Sequence, residues 1–273
     1  MYYVFNKTCI GYSHLRDKKP CQDFSSSYQD NERVIITCCD GHGGSKYVRS
    51  SQGSKAASEA VMNVFKDIDN AFFKEAEQDK LIDKLKLLVL CEYNKLIERK
   101  IADKPIRKSE LTKLTEDEAD YIRFNQAKAY GTTLSGAMLY KNKLVVVVIG
   151  DTEVLGIRKG ELVKIFDNSN DPAGNVTYSM CQEDAYKYLR VAILPAKDLD
   201  GVILCTDGLS SPYQSYDNFT KSFIKPMVKR VLTTKSLESI ANDVDQIALK
   251  YGVGDDVSLS FIINKKTNVR FYR

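Results

Sequence analysis

Four short apolar segments constrain this chain most, because each of them has an aspartate close to one of its ends. They cover residues 34–39, 144–149, 202–206 and 257–263, are five to seven residues long and are mostly rich in β-branched side chains. That length and composition predict β-strands. The first three are apolar enough to be buried on both faces.

The aspartates beside these strands indicate a shared site. Asp40, Asp151 and Asp207 follow the first three segments within two positions, and Asp255 precedes the fourth. A carboxylate beside a core strand is costly unless positive charge compensates it. One such residue is an ordinary turn aspartate, whereas four in one chain predict a common site at one rim of a sheet assembly.

Helical patterns separate the strands. The apolar spacing predicts a helix that Ser45 caps and that runs to about residue 65, a second over residues 71–101 and a third over residues 236–250. Strands lie near both ends of the chain and long helices lie in the middle, so we expect an α+β fold with helices on the faces of sheets.

Composition limits the class of protein. The 273 residues are 43% hydrophobic and 28% charged, as in a globular chain, and the net charge of +4 is too small to suggest a nucleic-acid partner. No apolar stretch reaches the length of a membrane span and no signal-peptide pattern opens the chain. Seven cysteines without a C-x-x-C spacing indicate reduced thiols. We expect one domain over residues 1–273 of a cytoplasmic protein, with a charged surface segment at 103–125 and a polar flap at 167–190.

The chemistry of the carboxylates points to magnesium or manganese. Asp23, Asp40, Asp207 and Asp255 offer hard oxygen ligands, and the chain has only two histidines. Oxygen-only sites suit Mg²⁺ or Mn²⁺ rather than zinc or copper. Two such ions about 3.5–4 Å apart can share a bridging carboxylate and a bridging water, which they activate for hydrolysis of phosphate esters.

Six short motifs occur in the same order as in a known family. They are Gln22-Asp23, Asp40-Gly-His-Gly-Gly44, Gly131-Thr-Thr133, Gly150-Asp151, Thr206-Asp207-Gly208 and Gly254-Asp255-Asp256-Val-Ser258. Together they resemble the type 2C, metal-dependent Ser/Thr protein phosphatases, over nearly the whole chain from about Gly11 to Ile263. The stretch from Gly11 to Asp23 is most similar to the bacterial branch of that family.

The resemblance implies a β-sandwich of two mixed, mainly antiparallel sheets flanked by helices, with two Mg²⁺ or Mn²⁺ ions at one end. In it, Asp40 would bridge the ions, the Gly41 carbonyl would bind one ion, and Asp207 and Asp255 would bind the other. Asp23 would hold metal-bound water, directly or from just outside the ligands. Asp151 matches a position that helps to bind a weaker third ion in some members. The implied substrate is phosphoserine or phosphothreonine in a protein, opposing a Ser/Thr kinase.

Two further roles concern the phosphate and the leaving group. His42 alone could be a turn residue, but within its motif we predict that it protonates the leaving alkoxide. For the phosphate ligand, Arg16, Lys18 and Lys19 compete, and Arg16 is favoured because a guanidinium can hold phosphate in a bidentate fork.

The chain departs from the family pattern at two positions. Gln22 stands where an acidic residue is usual, and Glu153 stands where an arginine is usual. Two other functions remain open at this point: a non-catalytic binding module of the same fold, and a two-metal hydrolase of small phosphate esters.

Overall fold

Two five-stranded sheets pack face to face in the computed structural model, which describes residues 1–74, 77–166 and 177–272. The first sheet has the order β1-β10-β9-β6-β7, the second has the order β2-β3-β4-β5-β8, and every pairing is antiparallel. The strands are β1 (Tyr2–Cys9), β2 (Phe24–Gln29), β3 (Arg33–Cys39), β4 (Leu134–Tyr140), β5 (Lys143–Ile149), β6 (Glu153–Arg158), β7 (Glu161–Lys164), β8 (Arg190–Pro195), β9 (Gly201–Cys205) and β10 (Val257–Asn264).

Helices cover the outer face of each sheet. Helices α2 and α3 pack on the second sheet, whereas α8 and α9 pack on the first. The helices are α1 (Tyr12–Arg16), α2 (Ser50–Asp67), α3 (Gln78–Asp103), α4 (Glu116–Phe124), α5 (Ala185–Tyr188), α6 (Asp207–Ser210), α7 (Tyr216–Phe219), α8 (Lys225–Thr234) and α9 (Glu238–Gln246). The predicted fold, two mainly antiparallel sheets flanked by helices, is confirmed.

Strand β3 shows how the sequence produces these layers. Val34, Ile36 and Cys38 belong to the apolar cluster between the two sheets. Ile35 and Cys39 point the other way, into the cluster that the second sheet forms with α2 and α3. Side chains alternate between the two faces of a strand. A strand with apolar residues at both odd and even positions is therefore buried on both faces.

The four predicted strands are all present, but the start of the first long helix was predicted wrongly. Helix α2 begins at Ser50, so Arg49 rather than Ser45 is at the N-cap position. The residues between them form turns, in which the Tyr47 N–H bonds to the Gly44 carbonyl and the Ser50 N–H bonds to the Tyr47 carbonyl. The helix starts only after Arg49, whose side chain is buried.

Two segments expected at the surface contribute to the core. In the segment 103–125, Leu111 and Ile122 are buried against the α2–α3 layer, which its many charges had concealed. In the predicted flap, residues 167–176 lie outside the described residues, while Met180, Ala185 and Leu189 are buried in the same cluster. The described part of the flap is therefore packed onto the domain.

Among the residues that the structure describes, no helix is both long enough and apolar enough to cross a membrane.

Candidate active site

Asp40 lies where β3 ends, and the two threonines just before β4 fix its backbone. The Thr133 N–H and the Thr132 hydroxyl both donate to the Asp40 carbonyl, each at 2.8 Å. The Asp40 N–H donates to the Thr133 hydroxyl at 2.9 Å. These bonds explain the Gly-Thr-Thr motif, because its two threonines hold the backbone of Asp40 in place.

Gly41 is buried where two other segments approach the turn closely. A Cβ atom at this position would lie 2.6 Å from the Gln22 carbonyl oxygen and 2.9 Å from the Ser50 carbonyl oxygen. Such contacts are too short for any side chain, so glycine is required for close approach of the backbone.

Asp23 is buried beneath the turn that follows β9. The Thr206 hydroxyl donates a 2.7 Å hydrogen bond to Oδ2 of Asp23 and accepts the Ser258 N–H at 2.9 Å. Burial raises the pKa of the Asp23 carboxyl well above its usual value, although the Thr206 hydrogen bond opposes this. The site thus brings the predicted Asp23 against the segment that carries Asp207.

The charges of the predicted carboxylates affect one another's pKa, and we call this group the acidic cluster (Asp23, Asp40, Asp151, Asp207 and Asp255). Burial raises the pKa of Asp40 well above its usual value, and the other four carboxylates of the cluster raise it further. Burial raises the pKa of Asp207 most, and the charges of Asp151 and Asp255 raise it further. Like charges at this proximity oppose ionisation unless cations lie among them.

One atom of the cluster lacks a partner. Oδ1 of Asp207 is buried and has no hydrogen-bond partner among the described residues. A buried carboxylate oxygen without a donor is costly. The donor set consists of hard oxygens, so this structure fits Mg²⁺ or Mn²⁺ at the cluster.

Asp255 is exposed, and its neighbour Asp256 is buried and fully engaged. Asp256 accepts the backbone N–H groups of Gly11 at 2.8 Å and Gln22 at 2.6 Å, and its Oδ2 lies 2.9 Å from Nδ1 of His14. One ligand atom from each of His14, Asp255 and Asp256 lies within 4.8 Å of the others. Because hydrogen bonds already occupy Asp256, we assign it to holding the N-terminal segment rather than to an ion.

Gln22 donates two side-chain hydrogen bonds at the position where an acidic residue was expected. Its Nε2 donates to the His42 carbonyl at 3.1 Å and to the Ser50 hydroxyl at 2.5 Å. A glutamate side chain cannot donate either bond when it is ionised. The departure therefore fits the local hydrogen bonding around the Asp40 turn.

His42 lies beside the cluster. Its ring centroid is 4.9 Å from that of Tyr47, and its Nε2 is buried without a hydrogen-bond partner among the described residues. Burial lowers the pKa of His42, the Lys46 charge lowers it further, and the Asp151 charge opposes the shift. The sequence did not predict that Lys46 acts on His42, although it lies only four residues after it.

Arg16, the predicted phosphate ligand, lies on the surface of α1. Its Nε is 2.9 Å from Oδ1 of Asp17, and both side chains are exposed. Arg16 therefore pairs with Asp17 and not with the acidic cluster.

Asp151, the predicted ligand of a third ion, accepts a 2.6 Å hydrogen bond from the Thr177 hydroxyl.

Glu153, the other departure from the expected pattern, opens β6 and is largely buried. Burial raises the pKa of its carboxyl, and the Asp151 charge adds to the shift while the Lys164 charge opposes it. The structure gives no further explanation for glutamate at this position.

Comparison with known proteins gives one family. The family model described as protein phosphatase 2C matches residues 10–244. None of the curated protein sequences compared with the chain matches it.

Several solved structures share the fold. The Ser/Thr phosphatase Stp1 from Staphylococcus aureus is 16% identical, with a TM-score of 0.61 over 96% of this chain and 95% of that one. The Mycobacterium tuberculosis phosphatase PstP/Ppp is 17% identical, with a TM-score of 0.58 over 97% and 99%. The PstP catalytic domain in complex with two manganese ions is 18% identical, with a TM-score of 0.57 over 96% and 97%. At these identities the similarity supports the fold.

Proposed function

The chain belongs to the protein phosphatase 2C family, and we propose that the acidic cluster is the centre at which it hydrolyses phosphoserine and phosphothreonine in proteins. The predicted activity class, a protein Ser/Thr phosphatase that uses Mg²⁺ or Mn²⁺, is confirmed by this membership. The observation that carries the assignment of the site is the buried Oδ1 of Asp207, which has no hydrogen-bond partner among the described residues and so offers a hard oxygen ligand to a cation.

In this proposal Asp40, Asp207, Asp255 and the Gly41 carbonyl would hold the ions. Burial and all four other carboxylates raise the pKa of Asp40, so cations beside it would be needed to keep this side chain ionised. The unpartnered Oδ1 of Asp207 is available as a ligand atom. The buried Asp23, which accepts the Thr206 hydroxyl, would hold metal-bound water directly or from just outside the ligands. The exposed Asp151 would help to bind a weaker third ion. Two bound ions would supply a nucleophilic water near neutral pH and would neutralise charge on the phosphoryl group.

His42 supplies the proton that the leaving group needs. Its Nε2 is unpaired and lies beside the cluster, so it can donate to the seryl or threonyl oxygen as the P–O bond breaks. Burial lowers the pKa of His42 in the free protein. Negative charge on a bound phosphate would oppose this shift, whereas the bound cations would add to it.

The phosphate itself needs a cation, and two side chains are candidates. Arg16 would have to exchange Asp17 for phosphate, whereas the charge of Lys46 already acts on His42. Arg16→Ala and Lys46→Ala distinguish them, because loss of the true ligand raises KM for a phosphopeptide and leaves the affinity for Mn²⁺ unchanged.

The physiological substrate is a phosphoprotein made by a Ser/Thr kinase, and the cytoplasm is the proposed compartment. The seven cysteines support a reducing compartment, because all are free thiols and three of them are buried.

Hydrolysis of a phosphothreonine peptide tests the function directly. We expect release of phosphate with Mn²⁺ or Mg²⁺ and loss of release in excess chelator. Undiminished activity after chelation would rule out the metal centre. Mn²⁺ binding without turnover of any peptide would support a binding module, and turnover of p-nitrophenyl phosphate alone would support a hydrolase of small esters.

A further inference from the structure

A group of exposed apolar side chains lies on α1 and on the segment that leads to Asp255. We call it the apolar patch, and it consists of Tyr12, Leu15, Leu249, Tyr251 and Val253. Tyr251 is 73% exposed and Val253 is 56% exposed. These five residues are nearly half of the eleven large exposed hydrophobic residues in the described chain. Exposed apolar side chains concentrated in this way are typical of an interaction surface.

The two halves of the patch are adjacent because α1 packs against the segment 247–254. A Cβ atom on Gly254 would lie 2.9 Å from Cζ of Tyr12, so the tyrosine ring rests on this glycine. The Ser13 N–H donates to the Gly254 carbonyl at 3.1 Å. Tyr12 and Leu15 are three residues apart and so share the outer face of α1, while His14 is buried.

The patch borders the acidic cluster directly. Gly254, on which the Tyr12 ring rests, is bonded to Asp255, and Asp256 holds the Gly11 N–H at the start of α1. The patch therefore lies beside the side chain that we assign to the metal centre. A polypeptide whose phosphorylated residue occupies the cluster must place neighbouring residues on the surface around it.

We propose that the apolar patch binds an apolar side chain next to the phosphorylated residue of the substrate. The proposal rests on the proposed function, and it specifies the substrate class as phosphopeptides with a flanking leucine, isoleucine or phenylalanine. Aromatic side chains such as Tyr12 and Tyr251 are typical anchors of interfaces. The exposed Lys250, between Leu249 and Tyr251, adds positive charge that suits an anionic phosphopeptide.

Steady-state kinetics with paired peptides tests this. One phosphothreonine peptide carries flanking leucines and the other carries serines at the same positions; p-nitrophenyl phosphate serves as a substrate without flanks. In the variant Tyr251→Ser/Val253→Ser, kcat/KM for the leucine peptide should fall about tenfold, mainly through KM, as expected for lost apolar contacts. The other two substrates should change by less than about twofold, within the usual range for exposed positions.

Two further variants serve as controls. Leu87→Ser removes an exposed leucine on α3, outside the patch, and should leave all three rates unchanged. Tyr12→Ser/Leu15→Ser removes the other half of the patch from a different element and should reproduce the selective loss, even if the first variant proves unstable.

The outcomes separate the inference from the function. Equal wild-type rates on both peptides, or equal losses on all three substrates, would overturn the role of the patch and leave the phosphatase assignment intact. A wild-type dimer that dissociates in the variants, with unchanged peptide preference, would identify the patch as a contact between copies and would also overturn it. Failure of the wild type on both peptides would instead refute the proposed function.

Discussion

The backbone N–H of Gln22 donates a 2.6 Å hydrogen bond to Oδ2 of Asp256, a residue 234 positions further along the chain. The same carboxylate accepts the Gly11 N–H at 2.8 Å. These bonds fasten the segment before Asp23 to the loop that carries Asp255. Two parts of the acidic cluster from opposite ends of the chain are thereby held together.

Asp256→Ala should therefore lower the free energy of unfolding by about 2–4 kcal/mol, because it leaves two backbone donors without their acceptor. Asp255→Ala is the matched comparison: the exposed Asp255 carboxylate accepts the Asp256 N–H at 2.8 Å, so its loss should cost about 1 kcal/mol or less. Urea denaturation of the metal-free proteins measures both. Equal losses of stability in the two variants would contradict the distinct roles of these adjacent aspartates.

Asp40→Asn and Asp207→Asn should each abolish turnover and leave the fold intact. Each variant removes a carboxylate that the ions need, and it also removes repulsion within the acidic cluster. The metal-free variants should consequently melt at a temperature equal to or higher than that of the wild type. Mn²⁺ should raise the melting temperature of the wild type and not of the variants. Turnover close to that of the wild type in either variant would refute the site.

The parts of this site that the sequence predicted are those in which the signal is local. Asp40 and Asp207 directly follow apolar strands, so both the strand and the carboxylate at its end can be predicted from one short stretch. The role of Gln22 could not be predicted, because it depends on His42, Ser50 and Asp256, which folding brings to it from distant positions.

The same limit explains the mistaken helix start. Ser45 is a suitable cap by residue type, but the helix begins after the buried Arg49. The Arg49 side chain bonds to Glu110, which is 61 residues away, and to the hydroxyl of Tyr130. A local pattern carries no information about such a partner, and for the same reason segment 103–125 was predicted to be surface only.

His42→Ala should lower kcat by about 10²–10⁴-fold on phosphoserine peptides, the range expected for general acid catalysis. An alkoxide leaves poorly without a proton, whereas nitrophenolate leaves readily, so p-nitrophenyl phosphate should be affected much less. Calorimetric titration with Mn²⁺ should give an unchanged affinity, because His42 is not assigned as a ligand. Equal losses on the two substrates would show that the imidazole acts in some other way.

Glu110→Gln should destabilise the protein in a pH-dependent manner. The hydrogen bond from Arg49 lowers the pKa of the Glu110 carboxyl in the folded state, and burial only partly opposes it. A carboxyl with a lowered folded pKa contributes stability above its unfolded pKa, about 4.3 for glutamate, and loses that contribution as the pH falls through the folded pKa. The difference in unfolding free energy between wild type and variant should hence be constant from about pH 8 to pH 6 and should shrink steadily below about pH 4.5. Denaturation curves at matched pH values isolate this pair, because the acidic cluster titrates in both proteins alike. A difference that persists unchanged at pH 3 would show that the Arg49–Glu110 ion pair is not its source.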